Sequence, residues 1–111
     1  MKVELQRHGS VLVVVPHDSL TEVTCPELQS VLTGEAAQAG SRVVLDMTSV
    51  PFVDSAGIEC LLAFAGDVKA GPLRPRIVGL VDTVREVMDL TDTLKRFFVF
   101  DSVEAAVRSF V

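Results

Sequence analysis

The chain contains no tryptophan and no tyrosine, and only two cysteines, Cys25 and Cys60, in 111 residues. Because only 5% of the residues are aromatic and none of them is Trp or Tyr, stacking on nucleic-acid bases or an aromatic cage for a ligand is not expected. Two cysteines are too few for a disulfide framework or a four-cysteine zinc site. We therefore expect reduced thiols.

Basic residues are also scarce, since ten Lys and Arg stand against fifteen Asp and Glu, for a formal net charge of −5. An acidic protein without a dense basic patch repels nucleic-acid phosphates, so a direct nucleic-acid partner is not expected. The N-terminus lacks the apolar run of a signal peptide, and the longest apolar run, 11–16, is too short to cross a bilayer. These features predict a soluble, cytoplasmic protein with no direct membrane insertion.

Hydrophobic periodicity predicts alternating strands and helices. A short half-buried strand around Val3 and Leu5 precedes core strands at 11–15, 43–45, 77–81 and 97–100, with helices beginning near 24, 55, 82 and 102. Helical connections favour parallel pairing, whereas the short link between the first two strands favours an antiparallel pair. We predict one α/β domain over 1–111, with a mostly parallel central sheet, an antiparallel N-terminal strand and about four helices.

Several residues are predicted to begin or end these helices. Thr24 and Glu27 have the spacing of a capping box. Asp82 and the pair Asp101-Ser102 are expected to cap the later helices. The first helix is expected to continue through Gly34 to about residue 40, and the second to run from Ser55 to about residue 71.

No constellation of catalytic residues is evident. His17 beside Asp18 could serve a Ser55 nucleophile, but Ser55 lacks the Gly-x-Ser-x-Gly elbow. There is no P-loop, no dinucleotide fingerprint and no His or carboxylate pair with metal-ligand spacing. We therefore expect no enzymatic activity, no cofactor and no metal, and interpret His8 and His17 as exposed turn residues.

The most informative segment follows the second core strand and opens a helix. It reads Asp54-Ser55-Ala56-Gly57-Ile58. This arrangement places the Ser55 hydroxyl at a helix N-terminus, where the peptide dipoles favour negative charge. A simpler interpretation also stands, in which Asp54 or Ser55 is an ordinary N-cap and Gly57 allows close packing.

The motif and the order of elements together resemble an anti-sigma factor antagonist of the STAS domain family. The family motif Asp-Ser-(Ser/Thr/Ala)-Gly-(Leu/Ile) is matched by 54–58, after a strand at 43–47. The resemblance covers nearly the whole chain. Its later parts are 77–80, Val84-Arg85, Leu90-Thr91, 97–100 and Glu104-Ala105-Ala106.

The resemblance implies a phosphorylation switch. Unphosphorylated members bind an anti-sigma factor that is also a serine kinase, which frees the sigma factor. The kinase then phosphorylates the first serine of the motif, which corresponds to Ser55 here, and the complex dissociates until a phosphatase removes the phosphate. The chain would be a substrate and a binding partner and not a catalyst.

The resemblance also implies a partner-facing surface around the motif. The family often has a Gly-Glu-Leu-Asp-like turn after its second strand, and the matching stretch 18–21 lacks both the glycine and the aspartate. Ala56 leaves Ser55 as the one hydroxyl acceptor in the motif. The expected partner-binding residues are Asp18, Ser19, Thr21, Thr24, Val53, Asp54, Ser55, Ala56, Gly57, Cys60, Ala63 and Phe64.

Three questions stay open at this stage. Cys60, Ala63 and Phe64 could form an exposed apolar docking patch, or Phe64 could widen the buried stripe of its helix. Cys60 could be redox-sensitive if exposed, or buried and inert. The chain could also be a STAS subunit of a membrane transport complex or of a signalling scaffold, acting by protein–protein docking.

Overall fold

The computed structural model describes residues 1–34, 42–67 and 74–110. Five strands form one sheet in the order β1-β2-β3-β4-β5, and they are β1 (Val3–His8), β2 (Val11–Pro16), β3 (Val43–Asp46), β4 (Arg76–Val78) and β5 (Phe98–Phe100). The helices are α1 (Cys25–Thr33), α2 (Ser55–Asp67), α3 (Asp82–Leu90) and α4 (Val103–Arg108), with a short 3₁₀ helix at Leu94–Arg96.

The pairing of the strands agrees with the prediction. β1 runs antiparallel to β2 through a tight turn in which Gly9 has a φ of +64°, and each later pair is parallel. Every residue of β2 is buried, as expected for a core strand, because helices cover this strand on both sides of the sheet. The single α/β domain with a mostly parallel sheet is therefore confirmed.

Helices cover the two faces of the sheet unequally. α1, α2 and α3 pack on one face, where side chains such as Leu28, Leu61 and Met88 form the larger core with the inward residues of β2 and β3. α4 covers the other face, where Ala106 packs on alternate β2 residues such as Val13. Each fully buried aliphatic side chain contributes about 1.5–3 kcal/mol, so the three-helix side carries most of the hydrophobic stabilisation.

One buried charged residue holds the end of α4 against the sheet. Arg76 of β4 is only 5% exposed. Its Nε donates to Ser109 Oγ at 2.8 Å and its Nη1 to the Arg74 carbonyl at 2.6 Å. The guanidinium also packs over the rings of Phe98 and Phe110, 4.9 and 3.8 Å from their centroids. This cluster fixes α4 by polar and stacking contacts beside its small apolar core.

The predicted helix caps are confirmed in one case and wrong in two. Ser102 caps α4, since its hydroxyl accepts from the Ala105 amide at 3.1 Å. Thr24 stands just before α1 but makes no capping bond, because its backbone is already helical and its hydroxyl serves the preceding loop. Asp82 is the first residue of α3 and not its cap, since Val81 holds that position.

Two elements end earlier than predicted, and the predicted end of a third is not tested. α1 ends at Thr33, with Gly34 in the cap position, so the expected continuation through Gly34 is wrong, and residue 40 lies outside the described residues. β4 ends at Val78 because Gly79 turns the chain with a φ of +73°. α2 begins at Ser55 as predicted, and its expected end near residue 71 lies outside the described residues.

Candidate functional site at the start of helix α2

Two loops meet beyond the ends of neighbouring parallel strands. The loop after β2 and the loop after β3 form a short parallel bridge between Leu20 and Val53. The Leu20 amide donates to the Phe52 carbonyl and the Asp54 amide donates to the Leu20 carbonyl, both at 3.0 Å. The two loops are thus joined by backbone hydrogen bonds just before α2 begins.

Asp54 is the residue that caps α2. Its Oδ1 accepts from the Gly57 amide at 2.9 Å, and its carbonyl accepts from the Ile58 amide at 3.0 Å. Its Oδ2 reaches the other loop and accepts from the Glu22 amide at 3.3 Å. Between the two capping candidates that the sequence offered, the structure selects Asp54, which also links both loops to the helix.

Gly57 permits the close contact between these loops and α2. A Cβ atom added there would lie 2.7 Å from Val53 Cγ1 and 2.9 Å from Leu20 Cβ, and nearer still to the Leu20 carbonyl oxygen. Because that oxygen belongs to the bridged backbone, it cannot move without breaking the bridge. Glycine in the motif is therefore required for packing, as the simpler interpretation of the sequence proposed.

Ser55 is the first residue of α2 and its side chain is exposed. Within the described ranges, no hydrogen bond to the Ser55 hydroxyl is found, although the neighbouring Asp54 carboxylate accepts two. The predicted position, a hydroxyl open to solvent at a helix N-terminus, is confirmed. A phosphate on this oxygen would gain about 0.3–1 kcal/mol from the helix dipole and would not enter the core.

The predicted partner-binding residues of the first loop form a hydrogen-bonded turn. The Thr24 hydroxyl donates to the Ser19 carbonyl at 2.6 Å and accepts from the Thr21 amide at 2.9 Å. The exposed Asp18 carboxylate accepts from the Ser19 amide at 2.7 Å. This turn presents Asp18 to solvent on a loop of fixed shape.

The remaining motif residues differ in how deeply they are buried. Val53 and Gly57 are buried and support the loops from below, whereas Asp54 and Ala56 are half-buried beside the exposed Ser55. The structure therefore brings the motif and the first loop together at one surface, with Val53 and Gly57 underneath it.

The expected apolar patch on α2 is wrong. Cys60 and Phe64 are buried, at 9% and 8% exposure, and of the three predicted residues only Ala63 is exposed. α2 packs against α1 as well as the sheet, so its buried surface is wider than a single stripe. The alternative interpretation, in which Phe64 widens that stripe, is confirmed.

The two cysteines are free and lie together in the core under the site. Burial raises the pKa of the Cys60 thiol to about 12, and the Cys25 thiol beside it adds to the shift. Burial likewise raises the pKa of Cys25. A buried thiol that stays protonated is a poor nucleophile, so these side chains act here as small core residues.

Sequence reasoning missed two exposed apolar side chains on the joined loops. Val23 is 84% exposed and Phe52 is 55% exposed. For Phe52 a signal existed, because it alternates with the inward-facing Val53, and alternation places neighbouring side chains on opposite sides. Val23 lies in an irregular turn, where periodicity gives no indication of direction.

The structure does not assemble the hydrolytic arrangement considered from the sequence. His17 Nε2 contacts Glu4 Oε1 at 2.9 Å, and the Asp18 carboxylate is engaged by its own loop. In the part of the chain that the structure describes, no group of three His, Cys, Asp or Glu side chains is placed to hold a metal ion. Among the same residues, none of the helices has the length and apolar character needed to span a bilayer.

Comparisons with known proteins agree with this geometry. The STAS domain family matches residues 2–106. A candidate anti-sigma factor antagonist of Bordetella bronchiseptica, BtrV, is 26% identical over 110 residues, which span 99% of this chain and 95% of that protein.

Solved structures show the same fold. An anti-sigma factor antagonist from Mycobacterium paratuberculosis has a TM-score of 0.84 at 22% identity, covering 98% of this chain and 92% of that one. The Bacillus cell fate determinant SpoIIAA in its phosphorylated form has a TM-score of 0.70 at 16% identity, covering 96% and 98%. At these identities the likeness shows the fold, and the family match over almost all of the sequence shows that this chain belongs to the STAS domain family.

Proposed function

We propose that this protein is an anti-sigma factor antagonist that binds an anti-sigma factor with serine-kinase activity, and that phosphorylation of Ser55 ends this binding. The observation that carries the proposal is the exposed Ser55 hydroxyl on the first residue of α2, with Asp54 and not Ser55 engaged in capping. The proposal draws further support from relatives named anti-sigma factor antagonists and from SpoIIAA, which exists in a phosphorylated form.

The proposed reaction uses this protein as the acceptor. The Ser55 oxygen attacks the γ-phosphorus of ATP held by the kinase, a new O–P bond forms, and the bond to the β–γ bridging oxygen breaks to release ADP. The hydroxyl proton passes to a base of the kinase. A phosphatase returns the hydroxyl by hydrolysis. Catalytic groups belong to the two enzymes, so this chain needs none.

A phosphate on Ser55 weakens docking for electrostatic reasons. It adds a charge of about −1.5 to −2 beside the Asp54 carboxylate. A kinase that transfers phosphate to Ser55 must present its nucleotide phosphates at the same point, so the new charge faces charges of the same sign. Like charges in an interface cost several kcal/mol, and about 1.4 kcal/mol is a tenfold loss of affinity.

The test is phosphorylation by purified kinases. The chain is incubated with ATP, Mg²⁺ and each serine-kinase-type anti-sigma factor of its organism, and the intact mass is measured. We expect one phosphate, absent in Ser55→Ala and retained in Ser49→Ala, since Ser49 is an exposed serine of the preceding loop. A phosphate that persists in Ser55→Ala, or no phosphate with any such kinase, would overturn the proposal.

A further inference from the structure

Val23 and Phe52 expose apolar surface at fixed positions beside Ser55. The amide of Glu22, the residue before Val23, donates to Asp54, and the Phe52 carbonyl accepts from Leu20. Neighbouring apolar residues of the same loops are buried, with Leu20 at 0% exposure. The apolar residues of the loops thus form an inner, buried set and an outer pair, Val23 and Phe52, that is largely exposed.

The charged residues of the two loops, α1 and α2 are all acidic. No Lys or Arg occurs in 8–41 or in 43–68, a part of the sequence that includes both loops, α1 and α2. Asp18 and Glu22 are exposed on the first loop, and Glu59 is exposed one turn into α2. A surface of this composition complements a partner that carries basic residues.

Neighbouring elements bring a few opposing charges to this end of the molecule. The carbonyl of Lys2 accepts from the His17 amide, which places Lys2 beside the start of the first loop. The Thr83 hydroxyl donates to the Pro51 carbonyl, so α3 lies beside the second loop, and its Arg85 is accompanied by Asp82 and Glu86. The balance around the two loops remains acidic.

We propose that Val23 and Phe52 are the apolar anchors through which the unphosphorylated chain docks on its anti-sigma factor. The partner would offer an apolar pocket for the Phe52 ring, with basic side chains facing Asp18 and Glu22. Buried aromatic anchors carry much of the energy of protein interfaces, and charges at the rim set the rate of association. This inference rests on the function proposed above and names the contacts that serve it.

The anchors are tested by calorimetric titration of the anti-sigma factor that phosphorylates Ser55. We expect Phe52→Ala to weaken binding at least tenfold and Val23→Ala about threefold, while Phe52→Leu retains most of the affinity. Leu90→Ala is the matched control, because Leu90 is also exposed, at 78%, and lies at the far end of α3. The control should bind within about twofold of the unmodified chain.

The acidic rim is tested by association rates. Asp18→Asn and Glu22→Gln should each slow association severalfold at low salt, and the difference should vanish at about 1 M salt, where screening acts within about 3 Å. Glu104→Gln is the control, since Glu104 is exposed on α4 at the opposite face of the sheet.

The outcomes separate this inference from the proposed function. If no serine-kinase-type anti-sigma factor binds the unmodified chain, both fall. If Ser55 is phosphorylated but the Phe52→Ala and Val23→Ala variants, with unchanged circular dichroism, bind as tightly as Leu90→Ala, this inference alone is overturned. Equal rates for the rim variants and Glu104→Gln would overturn its electrostatic part.

Discussion

Asp54 links the first loop to the start of α2, and Arg76 of β4 holds the end of α4. The surroundings of the two side chains differ. Arg76 is enclosed by two phenylalanine rings and bonded to Ser109, so its neighbourhood is closed. The Asp54 carboxylate is half-buried and accepts from two backbone amides, and the residue after it, Ser55, is exposed to solvent. The first arrangement serves the stability of the fold, whereas the second holds an exposed hydroxyl in place outside the core.

This difference predicts that the start of α2 tolerates a change of charge at Ser55 without loss of structure. The Asp54 carboxylate accepts hydrogen bonds from backbone amides, so these bonds do not depend on the identity of the neighbouring side chains. At Arg76 the charge itself is desolvated and depends on every contact around it. Substitutions should therefore lower the free energy of unfolding most at the Arg76 cluster and least at Ser55.

The largest loss of stability is expected from Arg76→Ala. This change removes the donors to Ser109 and Arg74 and leaves space between two rings, so we expect about 3 kcal/mol of destabilisation. Urea unfolding followed by far-UV circular dichroism measures it, because the chain has no Trp to report by fluorescence.

Arg74→Ala is the matched control for Arg76→Ala. Arg74 also stacks on Phe98, at 4.7 Å, but it is only half-buried, and its bond to the Lys95 carbonyl is long at 3.4 Å. We expect less than about 1 kcal/mol for this variant. Similar losses for the two arginines would show that burial does not distinguish them.

Gly57→Ala is expected to cause the next largest loss of stability, about 2 kcal/mol. The new methyl group would press on the Leu20 carbonyl and on Val53, so the bridge between the loops must open. Gly66→Ala, in the same helix, meets no atom within 4 Å and should stabilise the protein by up to about 1 kcal/mol. Equal effects from the two substitutions would mean that helix propensity, and not loop contact, governs both.

Local sequence patterns predicted most of the helices and strands, because the periodicity of apolar residues reflects which face of each element is buried. The apolar run of β2 predicted this core strand, and the helical spacing after Ser55 predicted the helix at the site. The sequence left open whether Cys60 and Phe64 are buried, since their burial depends on α1 lying against α2. The capping role predicted for Thr24 was wrong because its hydroxyl forms hydrogen bonds within the preceding loop and not with the helix.

Asp54→Ala should cost about 1 kcal/mol, the usual contribution of an N-cap. It also removes the bond between the Asp54 carboxylate and the Glu22 amide of the first loop, so we expect slower phosphorylation of Ser55 in addition to the lower midpoint in urea. Asp82→Ala provides the comparison, because Asp82 is a first-turn residue without a capping bond and should change stability by less than about 0.5 kcal/mol. If phosphorylation is as fast in Asp54→Ala as in Asp82→Ala, the link between the loops does not position the acceptor.

Ser55→Asp should have the smallest effect on stability and a large effect on binding. The carboxylate lies in the first turn of α2, where the helix dipole offsets repulsion from Asp54, so the free energy of unfolding should change by less than about 0.5 kcal/mol. Affinity for the anti-sigma factor should fall at least tenfold, because the added charge enters the interface. Ser10→Asp places the same charge in the exposed turn between β1 and β2, at the other end of the strands, and should bind normally. Equal affinities for the two aspartate variants would contradict a switch at Ser55, and a large loss of stability in Ser55→Asp would show that this end of the molecule is no more tolerant of charge than the Arg76 cluster.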